Sequence, residues 1–267
     1  MAPSADVVRE PAVAGSFYPA DPGSLRAALD ASFGDAVAPR QGSTMPRAIV
    51  VPHAGYVFSG PVAASAYLLL EAPRTSIRRV VVLGPAHRVP LRGLALSSAR
   101  AWSTPLGTVP TDSQALDQLQ DVTSTHVDDI PHAPEHSIEV QLPFLQTVLD
   151  DFVIVPIVVG RARDDEVAAA IDALWSDETL VVVSTDLSHY HPYADAARLD
   201  AQTSAAIVSL RPELVTTDAA CGAIPLRGLL TSVRRRHLSI DELDRRSSGD
   251  TAGDRRSVVG YGAFAVR

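Results

Sequence analysis

Three short aliphatic runs constrain the fold of this chain more than any other feature: AIVV at 48–51, RVVVL at 79–83 and TLVVVS at 179–184. They are rich in valine, which favours strands, and they show no alternation of apolar and polar residues. A strand that is apolar on both faces belongs to a sheet covered on both faces, as parallel strands are. The runs therefore predict an α/β sandwich with buried parallel strands at its centre.

Segments with helical spacing separate these runs. Helices are predicted over 24–33, 61–70, 112–120, 136–149, 164–175, 195–209 and 223–236. Further strands are predicted at 93–98, 152–160 and 257–266, and the last two are candidates for antiparallel strands. Because no shift in composition marks a boundary, the prediction is a single domain over 1–267. Its expected form is an α/β/α sandwich around a central mixed, mostly parallel sheet.

Four local features refine this prediction. Asp112 is expected to cap the helix that follows it, and Pro61 is placed at the start of its helix. Pro156 interrupts a predicted strand and suggests a bulge or an edge position. The tract GDTAGDRRS at 249–257 is predicted to be a mobile surface loop and not a second metal site at Asp250 and Asp254.

Charge and composition exclude several classes of partner. With 23 basic and 31 acidic residues the formal net charge is −8, which argues against nucleic acid as a partner. No run of about 18 apolar residues occurs and the N-terminus lacks an apolar signal segment, so we expect a cytoplasmic protein with no membrane partner. The single cysteine, Cys221, cannot form an internal disulfide.

Polar side chains follow all three aliphatic runs. His53 follows the first in VVPHAGY and His87 follows the second in VVVLGPAHR. Asp186 and His189 follow the third in VVVSTDLSHYH. Parallel strands end at one edge of a sheet, and sites in open α/β sheets form beyond that edge. We therefore predict that these side chains meet there, with His53 and His87 as a pair of metal ligands.

Two other segments leave alternatives open. PEHSIEVQLPFL carries Glu135, His136 and Glu139, and on a helix the two glutamates share a face. It is either a solvated helix start or the source of an acid/base residue, His136, with Glu135 as the partner of a site histidine. In TTDAACGAIP, Cys221 is either a buried inert thiol or a thiolate ligand that faces the two imidazoles. The second alternative rests on the helix predicted after Cys221, whose N–H groups would lower the thiol pKa.

The N-terminal block EPAVAGSFYP is expected to tie the N-terminus onto the domain. Its Ser16 and Tyr18, together with Tyr56 of PHAGY, are candidates to reach the pocket as hydroxyl donors.

Seven sequence blocks, in order, resemble the Memo-like family, whose bacterial and archaeal members include the AmmeMemoRadiSam system protein B group. The blocks are EPAVAGSFYP, PHAGYVFSG, LGPAHRVPL, EHSIEVQLPFL, STDLSHY, CGAIP and SGDTAGDRRSVVGYGAFAV, and they extend from Glu10 to Val266. The resemblance implies the fold of the class III extradiol dioxygenases and a mononuclear metal site. It places the metal ligands at His53, His87 and Cys221.

The resemblance also implies roles for other polar residues. His136 and His189 would move protons, and Asp186 would orient a histidine. Dioxygenases of the wider superfamily hold Fe(II) with two histidines and one carboxylate, and Cys221 in the third position also suits Cu or Zn. We expect a non-haem iron oxidoreductase with an unknown small-molecule substrate and Fe(II) as the first choice of metal. The alternative is a non-catalytic metal- or ligand-binding protein that acts with a radical S-adenosylmethionine protein and an AMMECR1-like protein, partners that the family name implies.

Overall fold

The computed structural model describes residues 7–40, 42 and 44–267. Its α-helices are α1 (Pro22–Gly34), α2 (Tyr56–Tyr67), α3 (Ser113–Gln120), α4 (Leu142–Val148), α5 (Asp164–Ala173), α6 (Tyr193–Val208) and α7 (Ala223–Arg235). Its strands are β1 (Val8–Arg9), β2 (Ala48–Val51), β3 (Arg79–Pro85), β4 (Leu94–Leu96), β5 (Ala101–Thr104), β6 (Gly107–Pro110), β7 (Thr125–Val127), β8 (Val153–Val159), β9 (Thr179–Ser184), β10 (His189–His191), β11 (Ile240–Ser247) and β12 (Val258–Val266). Short 3₁₀ helices cover Leu68–Leu70, Glu139–Gln141, Pro212–Leu214 and Ser248–Asp250.

The main sheet is parallel at its centre and antiparallel towards both edges. Over the described residues its order is β10-β12-β2-β9-β3-β8-β4-β7, with β11 paired to β12. The four strands β2, β9, β3 and β8 run parallel. β12 runs antiparallel to β2, and β4 runs antiparallel to β8. The mixed sheet is therefore confirmed, although β8 itself belongs to the parallel centre. A smaller sheet has the order β1-β5-β6.

Alternating side chains bury the main sheet on both faces. In β2, Ile49 and Val51 belong to one apolar cluster, whereas Ala48 and Val50 belong to the other. The first cluster includes residues of α1, α2 and α4, and the second includes residues of α3, α5, α6 and α7. The layers are helix, sheet and helix, so the sandwich predicted from the aliphatic runs is what forms.

Pro156 lies inside β8, at neither a bulge nor an edge, so that prediction was wrong. It is in register with Val82 of the parallel neighbour β3. The N–H of Val153 donates to Arg78 on the β3 side at 3.0 Å. Because backbone groups alternate sides along a strand, an N–H at position 156 would point the other way. On that side the pairing with β4 begins only at Ile157, so the strand tolerates a residue without a donor.

Two predicted helices begin elsewhere. α2 begins at Tyr56, so Pro61 lies within the helix and not at its start. The carbonyl that an N–H at position 61 would reach belongs to Val57, a residue that is 65% exposed. The segment predicted as one helix over 136–149 is a 3₁₀ turn at Glu139–Gln141 followed by α4.

A strand that was not predicted precedes the predicted loop. β11 ends at Ser247 and runs antiparallel to β12, and the loop tract at 249–257 lies between these two strands. The sequence of β11 is IDELDRRS, in which charged residues outnumber apolar ones, so no strand was predicted there. Its buried Asp244 accepts hydrogen bonds from Ser65 and Arg246, both at 2.8 Å. Partnered polar groups thus replace the apolar contacts that a sequence pattern would reveal.

Candidate metal centre

The carboxyl ends of three neighbouring strands bring the predicted polar residues together. β9 lies between β2 and β3 in the sheet, and all three run parallel. His53 follows β2, His87 follows β3 and Asp186 follows β9. Beyond this edge lies a pocket of about 900 Å³, which we call the main pocket. Its lining includes all six predicted site residues: His53, His87, His136, Asp186, His189 and Cys221.

Three imidazoles form the centre of the main pocket. One ring nitrogen each of His53, His87 and His136 lies within 4.8 Å of the other two. The ring centroids are 5.0 Å apart for His53 and His87, 5.4 Å for His53 and His136, and 4.9 Å for His87 and His136. The group has the spacing and chemistry to hold one cation. His136, predicted as an acid/base residue, therefore lies among the groups that have the spacing to ligate a metal.

Hydrogen bonds fix the proton on His53. The Ser184 hydroxyl donates to the Ser137 carbonyl at 2.6 Å and accepts from the Gln141 amide at 2.8 Å. Its single proton is thus used, so the 2.9 Å contact between Ser184 Oγ and His53 Nδ1 requires the ring to donate. Nε2 of His53 therefore carries a lone pair. Burial, and then the neighbouring imidazoles, hold the pKa of His53 well below its usual range, so the ring is neutral.

Glu135 orients the second imidazole. Its Oε1 accepts from His87 Nδ1 at 3.0 Å, and its Oε2 accepts from the His87 backbone N–H at 2.7 Å. Since a carboxylate only accepts, His87 is protonated on Nδ1 and its Nε2 is free to bind a metal. Burial raises the pKa of Glu135, but the adjacent His136 ring and the hydrogen bonds from His87 outweigh it and hold the pKa well below its usual range. The alternative in which Glu135 partners a site histidine agrees with this geometry.

His136 is less constrained than the other two imidazoles. Its backbone N–H donates to Glu135 Oε1 at 2.9 Å. Its Nδ1 lies 3.2 Å from the same oxygen, but without hydrogen-bond geometry. Phe17 packs against the ring at a centroid distance of 4.5 Å. The ring is therefore held by packing more than by a fixed proton.

Glu139 binds residues at the N-terminal end of the chain and not the imidazole cluster. It is fully buried and forms an ion pair with Arg9. It also accepts from the Tyr18 hydroxyl at 2.6 Å and from the Val13 backbone N–H at 3.0 Å. The block is thus tied onto the domain, as expected. The helix face that Glu135 and Glu139 were predicted to share does not exist, because both residues precede α4.

The pocket side of the N-terminal block is apolar. The Ser16 hydroxyl donates to the Val13 carbonyl at 2.9 Å, and the Tyr56 hydroxyl donates to the Val140 carbonyl at 2.7 Å. These hydroxyl groups, like that of Tyr18, are therefore used within the fold, and the alternative in which they reach the pocket does not hold. Phe17 lines the pocket instead.

Cys221 lies against the imidazole cluster. Its Sγ is 3.2 Å from His53 Nε2 and accepts from the Asp186 backbone N–H at 3.3 Å. Burial, and then the charge of Asp186, raise the pKa of Cys221 to about 12. The expectation that the following helix favours a thiolate was wrong, because burial disfavours the charged form more strongly. A bound cation would lower the pKa of Cys221, since a thiol loses its proton when it binds a metal.

The Asp186 carboxylate binds the backbone of His53 and not its imidazole ring. Its Oδ1 accepts from the His53 backbone N–H at 2.8 Å. The residue that orients the His53 ring is Ser184, which sequence analysis did not single out. Burial raises the pKa of Asp186. Asp186 therefore fixes where the chain leaves β2, and Ser184 fixes the direction of the imidazole.

His189 and Tyr190 lie in a strained segment at the pocket. Tyr190 has a φ of 61° and is 78% exposed. β10 pairs with β12 in an irregular register, with His189 opposite Val259 and His191 opposite Val258. The irregularity turns Tyr190 towards solvent and leaves His189 in the pocket lining. Among the residues that the structure describes, none forms a hydrogen bond with the His189 ring, so both of its nitrogens are available to a ligand.

Comparisons with known proteins agree along the whole chain. A sequence model of the family described as "Memo-like protein" matches residues 9–265. The chain is 39% identical to a "MEMO1 family protein" of Methanopyrus kandleri, over 97% of this chain and 99% of that protein. A "MEMO1 family protein" of Aquifex aeolicus is 36% identical, over 95% of this chain and 97% of that relative.

Solved structures support the same fold. An "uncharacterized protein" from Escherichia coli K12 superposes with a TM-score of 0.55 at 16% identity, covering 83% of this chain and 100% of that one. At this identity the likeness shows the fold alone. None of the described helices is both long enough and apolar enough to cross a membrane.

Proposed function

The chain belongs to the Memo-like family, and from this premise we propose that it is a mononuclear non-haem metal protein with oxidoreductase activity. Fe(II) is the first candidate metal, and the chemistry is related to that of the extradiol dioxygenases. One observation carries the proposal: ring nitrogens of His53, His87 and His136 lie within 4.8 Å of one another.

The donor set fits a transition metal. The Nδ1 atoms of His53 and His87 donate to Ser184 and Glu135, which leaves Nε2 of each ring as the atom that would bind a metal. Neutral imidazoles with such outer partners are ligands for Fe, Cu and Zn. The 3.2 Å between Cys221 Sγ and His53 Nε2 is close to the roughly 3.5 Å that separates a nitrogen and a sulfur ligand on one tetrahedral cation. Cys221 thus remains a candidate ligand beside the three imidazoles.

The surrounding residues provide a substrate site. A bound ion would supply redox chemistry and polarise coordinated oxygen groups. We assign proton transfer to His189, whose ring nitrogens have no partner within the described chain. Phe17 and Val259 give the pocket apolar surface that limits the access of water. Asp186 accepts a hydrogen bond from the His53 backbone and so helps to position His53 in the site.

Metal content of matched variants tests the proposal. After anaerobic reconstitution with Fe(II), we expect about one ion per chain in the wild type and less than about a tenth of that in His53→Ala and His87→Ala. His126→Ala is the control, because His126 is exposed and lies outside the main pocket. Equal metal content in all of these proteins would reject the metal centre.

Oxygen uptake over a panel of aromatic diols tests the activity separately. Uptake by the Fe(II)-loaded protein that is lost in His189→Gln, with metal content retained, would support the oxidoreductase. Full metal occupancy without uptake across the panel would favour the second role, a metal-binding protein that acts with a radical S-adenosylmethionine protein and an AMMECR1-like protein.

A further inference from the structure

A second cavity shares a wall with the main pocket, and we name it the rear cavity. Its volume is about 720 Å³. Cys221 lines both the main pocket and the rear cavity. The other walls are largely apolar and include Pro85, Leu91, Ile224 and Pro225. A molecule in the rear cavity would therefore be next to the imidazole cluster without occupying the main pocket.

The charge of the rear cavity is entirely positive over the residues that the structure describes. Arg92 and Arg161 are the charged residues of its lining, and no carboxylate belongs to it. The cavity beside α1, by contrast, is lined by two arginines together with three aspartates. A cavity with two cations and no anion in its lining has an electrostatic preference for a negative ligand.

Arg92 and Arg161 are held side by side by the backbone. They form an isolated parallel bridge, in which the Gly93 N–H donates to the Arg161 carbonyl at 2.9 Å and the Arg161 N–H donates to the Leu91 carbonyl at 2.8 Å. Directly opposed residues project to the same face, with Cβ atoms about 5 Å apart. Both arginines are exposed, and neither guanidinium has a partner among the described residues. Like charges so placed repel each other.

The two segments that carry Arg92 and Arg161 approach each other closely. A Cβ at Gly160 would lie 2.2 Å from the Leu91 carbonyl oxygen, so the chains meet here without room for a side chain. Carboxylates are also near in sequence but are engaged elsewhere. Asp164 pairs with Arg227, and Asp165 pairs with Arg163. The backbone thus places Arg92 and Arg161 side by side, and neither guanidinium has a partner among the described residues.

We propose that the rear cavity binds a small oxyanion, a carboxylate or phosphate group, between the guanidiniums of Arg92 and Arg161. Guanidinium groups present paired N–H donors that match such oxygens, and an anion would relieve the repulsion between the two cations. Since Cys221 lines the same cavity, the bound anion would also shield its thiol from that side. This site goes beyond the metal function proposed above and does not depend on it.

Calorimetric titration with inorganic phosphate tests the site. The full chain is treated with chelator first, so that a metal centre plays no part, and ionic strength is held constant. We expect saturable binding, weakened about tenfold or more in both Arg92→Gln and Arg161→Gln. Arg88→Gln is the matched control, because Arg88 is also exposed and lines the main pocket instead. Absence of binding at millimolar phosphate, or a loss in Arg88→Gln alone, would overturn the proposal.

Cys221 reports on the position of the anion because it is the only cysteine. Its alkylation is followed with neutral iodoacetamide and with anionic iodoacetate, and the ratio of the two rates removes the contribution of thiol ionisation. We expect phosphate to slow both reactions in the wild type. We also expect the iodoacetate-to-iodoacetamide ratio to fall several-fold in Arg92→Gln and Arg161→Gln but not in Arg88→Gln. An unchanged ratio in all variants would show that the anion is not next to Cys221.

Discussion

At the scale of single residues, Cys221 and His136 are the two candidates for the third ligand of the proposed metal site. The pKa of the Cys221 thiol is raised to about 12 by burial and by the charge of Asp186. Binding through sulfur must therefore release a proton at neutral pH, and log affinity should rise by about one per pH unit between about pH 7 and 9. We expect Cys221→Ala to lose this slope and to bind at least about tenfold more weakly. Competition with a chromophoric chelator measures both quantities.

Two further variants give this test its control. Cys221→Asp rebuilds the set of two histidines and one carboxylate, so we expect it to retain Fe(II). It should lack the thiolate-to-metal charge-transfer absorption that we expect Co(II) to give with the wild type if Cys221 is a ligand. A flat pH profile, with full affinity in Cys221→Ala and loss in His136→Ala, would make His136 the third ligand instead.

Glu135 affects the proposed metal site by orienting the residues around it, above all the His87 ring. Its oxygens accept from the ring and backbone of His87 and from the backbone N–H groups of His136 and Ser137. Glu135→Gln keeps the volume but turns half of the group into a donor that faces other donors. We expect metal affinity to fall about 10- to 100-fold. The exposed Glu178→Gln serves as the control. Wild-type affinity in Glu135→Gln would show that the His87 ring does not need this carboxylate.

Some site residues could be predicted from local sequence and others could not. His53 and His87 each follow an aliphatic strand, and the family resemblance points to the same positions. Ser184 is the last residue of β9, and its function depends on Ser137 and Gln141, which come from a distant segment. Only the fold brings these three together. The sequence therefore identified ligands more readily than the residues that orient them.

At the scale of elements, contact between α5 and α7 supports the chain that carries Cys221. A Cβ at Gly228 of α7 would lie 2.3 Å from Val167 Cγ1 of α5. We expect Gly228→Ala to lower the free energy of unfolding by about 1–3 kcal/mol, because overpacking exceeds the gain in helix propensity. Gly34→Ala at the end of α1 is the control, since no heavy atom lies within 4 Å of its Cβ. Urea unfolding measures both, and equal stability of the two variants would contradict the close contact.

Elements with a clear local sequence pattern could be predicted from the sequence. Elements that depend on a neighbouring strand could not. β2, β3 and β9 are continuous aliphatic runs, and Asp112 caps α3 as predicted by accepting from the Ala115 N–H at 3.0 Å. β11 is charged and exists because β12 offers a partner. Pro156 is tolerated because of where β4 stops. In both cases the deciding information lies on another strand.

Across the whole molecule, Arg9 links the small sheet to the metal centre. It lies in β1, and its guanidinium stacks on the Trp102 ring of β5 at 4.5 Å. The same group donates to the carbonyl of Glu135 at 2.6 Å and to that of His132 at 3.1 Å. The segment that carries Glu135, which orients His87, is thus anchored by Arg9 of β1, so the geometry of the candidate metal site depends on contacts that also hold the small sheet to the domain.

Two buried histidines make the stability of the whole molecule sensitive to acid. Burial lowers the pKa of His132 to about 4 and holds that of His53 well below its usual range. Below about pH 6.5 the unfolded chain binds protons at these rings while the native protein does not, so the free energy of unfolding falls as pH falls. His132 alone should account for a loss of about 2 kcal/mol between pH 7.5 and 5.

Urea unfolding at the two pH values, with chelator present, isolates the contribution of His132. We expect His132→Gln to be less stable than the wild type at pH 7.5, because the Nε2 hydrogen bond to the Ala95 carbonyl (3.0 Å) is disturbed. Between pH 7.5 and 5, its free energy of unfolding should nevertheless fall by about 2 kcal/mol less than that of the wild type, since glutamine does not titrate. The exposed His126→Gln should keep the wild-type dependence. If His132→Gln also kept it, the acid sensitivity would have to arise from His53 or from carboxylates, and burial of His132 would not govern the pH limit of the fold.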